Sequence, residues 1–178
     1  MIRLDGGDQT LLLQRTAGPP RLAYWGTRLP EGLAPAELAP ALQAPVPQGG
    51  LDTGEVLDLF PEAGRGFTGH PALEVSRAGG GFVTQLLPES DEAVADGWRF
   101  DLADPAAGVA VVLTVTLDPE TGVAAFRSSV RNIGVDPLSV HWLAAAALPS
   151  AHDEVLAFDG RWAREFQPVR SRVRTGLV

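Results

Sequence analysis

Cysteine and lysine are both missing from this 178-residue chain. Without cysteine there is no disulfide framework, no thiolate metal ligand and no thiol nucleophile. That fits a reducing compartment, and a cytoplasmic protein is the expectation. Without lysine, all 14 basic residues are arginine, set against 22 acidic ones for a net charge of −8. An acidic chain with no lysine-rich patch is poorly suited to a phosphate backbone, so no nucleic-acid partner is expected. No apolar run approaches the length of a membrane span. The first residues lack the apolar core of a signal peptide, because Asp5 and Asp8 interrupt them. No membrane partner is expected either.

The common catalytic signatures are lacking as well. There is no G-x-S-x-G elbow, no H-E-x-x-H pair, no P-loop and no dinucleotide fingerprint. The histidines are His70, His141 and His152, and none has a partner at a metal-ligand spacing. Neither a metal nor a cofactor is expected. Carboxylates are plentiful, among them Asp52, Glu55, Asp58, Glu62, Glu89, Asp91, Glu92 and Asp96. Glycoside cleavage needs two carboxyl groups facing each other about 5–10 Å apart, which a sequence cannot display. Acidic residues in loops are more often solvated charges.

Turn chemistry is abundant, with 20 glycines and 15 prolines. A hydrophobic content of 45% and a mean hydropathy of +0.06 are those of a globular chain, and its length allows one domain with a substantial core. Many short strands between Gly/Pro turns predict an all-β fold, a two-sheet antiparallel β-sandwich with little helix.

The clearest strand is 109–117, where Val109, Val111, Leu113, Val115 and Leu117 alternate with other residues and share one face. Asp118-Pro-Glu-Thr-Gly122 reads as a bulged hairpin turn. The chain then returns over 123–132. After a turn at 132–137, a third strand from Leu138 is expected to complete a meander, with Trp142 in the core. Short strands are also expected at 11–13, 22–26, 72–76, 82–87, 98–102, 155–158 and 169–174. The one helical spacing is Leu38 to Leu42, and Pro40 limits it to a turn or two. The proline-rich stretch 30–70 is long enough to be functional or to meet a partner.

The densest aromatic and charged segment is Phe158-Asp-Gly-Arg-Trp-Ala-Arg-Glu-Phe166. It reads as a binding surface or as the place where a longer protein has been cut. Four segments, taken in order, resemble one family: Leu22-Ala-Tyr-Trp-Gly26; Pro61-Glu-Ala-Gly-Arg-Gly-Phe-Thr-Gly-His-Pro-Ala-Leu73; the strand ending Val130-Arg-Asn-Ile-Gly134; and Gly160-Arg-Trp-Ala-Arg-Glu-Phe166. Together they resemble the N-terminal β-supersandwich domain of bacterial α-galactosidases of glycoside hydrolase family 36.

That resemblance implies a non-catalytic domain at residues 1–158, with 159–178 leading toward an absent remainder. The remainder would hold the rest of the sandwich and a (β/α)8 barrel with the two aspartates of a retaining hydrolysis. The chain alone is then inactive, with no catalytic residue of its own. Its implied partners are that barrel, an α-galactoside or oligosaccharide substrate of the whole enzyme, and further copies in a homo-oligomer. The resemblance also implies that loop residues approach substrate: Asp58, with Arg65 or His70 in place of the family's arginine. Trp25, Trp162, Arg164, Glu165 and Phe166 are the expected contacts with the missing part. Two other readings remain: a free-standing carbohydrate-binding sandwich using exposed tryptophans, and a structural β-domain that meets a protein partner.

Overall fold

Period-two alternation decides where most of this chain goes. The computed structural model describes residues 1–38, 42, 57–78, 80–149 and 153–173. Chain contacts divide it into two units, Met1–Leu148 and Pro149–Val178.

Among the described residues the first unit holds ten strands: β1 (Ile2–Gly6), β2 (Gln9–Gln14), β3 (Arg21–Thr27), β4 (Leu73–Arg77), β5 (Gly80–Phe82), β6 (Leu87–Val94), β7 (Gly97–Asp104), β8 (Val109–Leu117), β9 (Ala124–Asn132) and β10 (Ser139–Leu143). Three antiparallel sheets result, ordered β1-β2-β3, β10-β4-β5 and β6-β7-β8-β9. Helix is confined, among the described residues, to α1 (Pro35–Leu38) and a 3-10 turn at Ala63–Arg65. The second unit is a hairpin of β11 (Glu154–Arg161) and β12 (Arg164–Arg172). The expected strands 155–158 and 169–174 fall within it as far as it is described. No helix among the described residues is long and apolar enough to cross a membrane.

On β8 the odd positions from Val109 to Leu117 are all buried, because a pleated strand sends alternate side chains to one face. Leu11, Leu13, Leu59, Phe60, Leu86 and Leu102 join them in one core cluster. Asp118 accepts the Gly122 amide on its backbone carbonyl at 2.9 Å, and Gly122 takes a φ of 71°. This is the left-handed position that lets the hairpin close.

Three expectations need correction. The meander runs β6-β7-β8-β9 and stops at β9, since β10 pairs with β4 and not with β9. Arg77 at the end of β4 braces this arrangement. Its guanidinium donates to the carbonyls of Ala107 (3.2 Å), Gly108 (2.8 Å) and Asp136, and to Asn132 Oδ1 (2.8 Å). The turn after β9 is thereby tied to β4, and the next strand joins that sheet. Second, Trp142 is not core but 47% exposed. A register shift between Val140 and Trp142 breaks the simple alternation. Third, residues 83–86 form no strand, whereas Glu89, Asp91 and Glu92 lie on β6 and not in a loop.

Candidate functional site

The segment 57–65 carries two of the three loop residues expected near substrate. It is anchored through its backbone: the Leu59 amide donates to the Pro20 carbonyl, the Ala147 amide to the Leu59 carbonyl and the Ala72 amide to the Pro61 carbonyl, each at 2.8 Å. Phe60 is fully buried beneath it. Asp58 Oδ1 accepts from Arg21 Nε at 3.2 Å and from its terminal nitrogen at 3.1 Å. Burial pushes the Asp58 carboxyl above the ordinary carboxylate value, and Arg21 and then Arg65 oppose that rise without cancelling it. Asp58 and Arg65 are thus within reach of each other's charge.

Arg65 is spent on the protein itself. Its Nε donates to Glu62 Oε2 at 3.1 Å, and its terminal nitrogen donates to the carbonyls of Ala17 (3.1 Å) and Leu86. Glu62 is buried and also accepts from Thr84 Oγ1 (2.8 Å) and from the Leu86 amide (3.0 and 3.1 Å). Glu62 and Arg65 therefore form a latch that fastens the segment 62–65 to residues 84–86. Gly18 sits flat against the Arg65 guanidinium, where a Cβ would collide with it.

His70 lies elsewhere. Its Nε2 is 3.5 Å from Glu74 Oε1, and its ring meets Trp142 edge to face with centroids 5.0 Å apart. Glu74 and Trp142 are cross-strand partners on β4 and β10. Next to them Ser76 Oγ and His141 Nε2 are 2.7 Å apart. Glu74, Ser76 and His141 line a groove of about 530 Å³ that also takes in Phe82 and Val83. Sequence reasoning placed His70 near function but missed this cluster, because residues 70, 74, 141 and 142 meet only through the β4–β10 pairing. His152 lies outside the described residues.

Of the expected joining residues, Trp25 is on β3, where its Nε1 donates to Gln9 Oε1 at 2.7 Å and its ring tilts against Phe126. The others cluster at the tip of the β11–β12 hairpin. Trp162 is 92% exposed and Phe166 79%. Phe166 packs on Phe158 with ring centroids 6.1 Å apart, and Glu165 Oε1 accepts the Ala163 amide at 3.0 Å. Arg164 faces Arg161 across the hairpin and is exposed. Among the described residues no three of His, Cys, Asp and Glu are grouped to hold a metal ion.

Comparisons with known proteins agree with one another. Residues 18–178 match the family described as the glycosyl hydrolase family 36 N-terminal domain. An alpha-galactosidase of Escherichia coli is 30% identical over 164 residues, covering 91% of this chain and 23% of that protein. The fold superposes on a Lactobacillus brevis alpha-galactosidase with a TM-score of 0.77 at 18% identity, over 98% of this chain and 27% of the other. A GH36 alpha-galactosidase from Geobacillus stearothermophilus, solved in complex with raffinose, gives a TM-score of 0.75 at 20% identity, over 98% and 28%. The chain thus spans about a quarter of the length of these relatives.

Proposed function

Because the chain belongs to the glycosyl hydrolase family 36 N-terminal domain family, we propose that it is the non-catalytic N-terminal domain of an α-galactosidase. The observation that carries this reading is the family match over residues 18–178, on a chain about a quarter as long as its galactosidase relatives. In this reading the catalytic barrel and its aspartates lie in the remaining polypeptide, and the 178 residues alone cleave nothing. Residues 1–158 make the sandwich, and 159–178 lead toward the barrel. The full enzyme works in the cytoplasm on terminal α-galactosides and assembles as a homo-oligomer.

The geometry favours different duties for the three loop residues. Arg65 and Asp58 are tied to Glu62 and Arg21, so they hold the loop in shape. His70 is exposed on the surface and is the one of the three that a ligand can reach directly. Trp162 and Phe166, exposed at the hairpin tip, are the contacts with the barrel. Their apolar area is larger than a solvated turn needs, which supports a covered surface.

The test is to read and express the gene beyond codon 178. Both the long protein and the 178-residue chain are then assayed for galactose release from raffinose. Release by the long protein alone is the expected result. A stop codon directly after Val178, or hydrolysis by the short chain, overturns the reading.

A further inference from the structure

We propose that the exposed face of the β4–β10 pair is a binding site for a neutral hexose ring. The choice of a galactoside as that hexose rests on the function proposed above; the site itself rests on its chemistry. Trp142 offers a half-exposed indole on a sheet surface, and a sugar ring has an apolar C–H face that suits an aromatic plane. Beside the indole stand polar groups able to meet hydroxyls: Glu74 as acceptor, His70 against it at 3.5 Å, and the Ser76–His141 pair at 2.7 Å. Of these, Glu74, Ser76 and His141 line a groove of about 530 Å³, a volume within the range of small-molecule sites.

The same chemistry argues against other ligands. An anion would meet the exposed Glu74 carboxylate, while the Arg77 guanidinium over the Phe82 ring is already bound to the carbonyls of Ala107, Gly108 and Asp136 and to Asn132. A metal ion lacks a three-ligand group among the described residues. A wholly apolar ligand would strip water from the carboxylate and imidazoles and give nothing back. A neutral polyol with one apolar face satisfies both halves of the surface. The bulge between Val140 and Trp142 is what makes the site, because it breaks the strand's alternation where His141 meets Ser76 and Trp142 meets His70.

The experiment titrates the 178-residue chain with methyl α-D-galactopyranoside and follows the four indole N–H signals and the histidine rings by NMR. Inorganic phosphate serves as the anionic comparison. The expected result is saturable shifts at Trp142, His70 and His141, with Trp25 and Trp162 unmoved. Trp142→Ala should weaken binding about tenfold, the worth of one aromatic contact. Glu74→Gln, which keeps the shape of the surface, should weaken it several-fold. No saturable shift by about 50 mM sugar, equal affinity in both variants, or saturation by phosphate in place of sugar overturns the site. The enzyme reading is judged separately by galactose release from the long protein. A silent β4–β10 face beside an active long protein sinks only the site. Binding here beside an inactive long protein sinks only the enzyme reading.

Discussion

Replacing Glu62 should be the most damaging single polar substitution in the described sandwich. The side chain is 1% exposed and serves three donors. Removing it in Glu62→Ala leaves the Leu86 amide, itself fully buried, with no acceptor. A buried unpaired donor costs about 1–3 kcal/mol. Arg65 also loses its carboxylate, although the carbonyls of Ala17 and Leu86 keep part of its charge solvated. Breaking a buried ion pair by deleting one partner costs about 3–5 kcal/mol. These two costs overlap, and a total of about 4 kcal/mol is the working figure. With a urea slope of about 2 kcal/mol per molar, the midpoint should fall by about 2 M at unchanged slope. Glu62→Gln keeps one oxygen for the Leu86 amide and Thr84 but turns an amide donor or an uncharged oxygen toward Arg65. It should lose about half as much. If the alanine variant does not fold, the glutamine variant still decides. A glutamine variant within about 0.5 kcal/mol of wild type would refute the idea that the latch depends on charge, and an alanine loss below about 1 kcal/mol would refute the latch itself.

Asp58 behaves oppositely to a typical paired carboxylate. Its folded value is raised, chiefly by burial, so its contribution is fully present below the ordinary carboxylate value and is lost as pH rises through the folded one. Asp58→Asn should therefore melt no lower than wild type at pH 7, and the two melting temperatures should converge in acid. A clear drop at pH 7 would contradict this. Asp91 is lowered, first by the hydrogen bond from Arg15 and also by the one from Trp98 Nε1 at 2.7 Å. Its stabilisation is present above the ordinary value and is lost as pH falls through the lowered one. Asp91→Asn should cost up to about 1 kcal/mol at pH 7, shift Trp98 emission, and cost nothing near pH 2; a pH-independent loss would point to packing instead. Gly97→Ala would press a Cβ into the Val115 carbonyl and to 2.8 Å from Thr116 Cα, for a loss of about 2 kcal/mol in a denaturant titration. Replacing both Trp162 and Phe166 with serine should lower self-association in light scattering, and no change would mean the tip is not adhesive.

The sequence was most readable where one local rule acted alone. The core face of β8 and the Gly122 turn each follow from spacing or from one residue's backbone freedom. The crossover after β9 was not readable, because the contacts that brace it join Arg77 to carbonyls some 30 and 59 positions away. The placement of Trp142 failed for a related reason. Alternation assigns a face only while the register is unbroken, and the bulge at 140–142 breaks it. Arg65 was singled out as a stand-in for the family's arginine, and its ties to Ala17 and Leu86, 48 and 21 positions away, were not legible beside that. The sequence could have offered one warning: Glu62 and Arg65 are three apart, the spacing of neighbours on a helical turn, and a 3-10 turn at Ala63–Arg65 brings them together.

The hairpin of β11 and β12 shows why a strand pattern can be legible while its role is not. Its register puts Val155, Ala157 and Val169 on one face, and Leu156 and Phe158 on the other. A strand with water on one side carries polar residues there, so apolar side chains on both faces describe a hairpin meant to be covered twice. Its own contacts are slight: the Arg170–Glu154 pair at 3.0 Å is exposed and contributes little. An isolated two-stranded hairpin is marginal in water. Moreover, Phe166 has a φ of 56° and Ala163 one of 65°, left-handed positions that cost a side-chain-bearing residue about 1–2 kcal/mol each. A marginal hairpin that carries such strain needs outside contacts to hold it. Within the proposed α-galactosidase, the rest of the polypeptide would supply them by packing on Trp162, Phe166 and the valine face together.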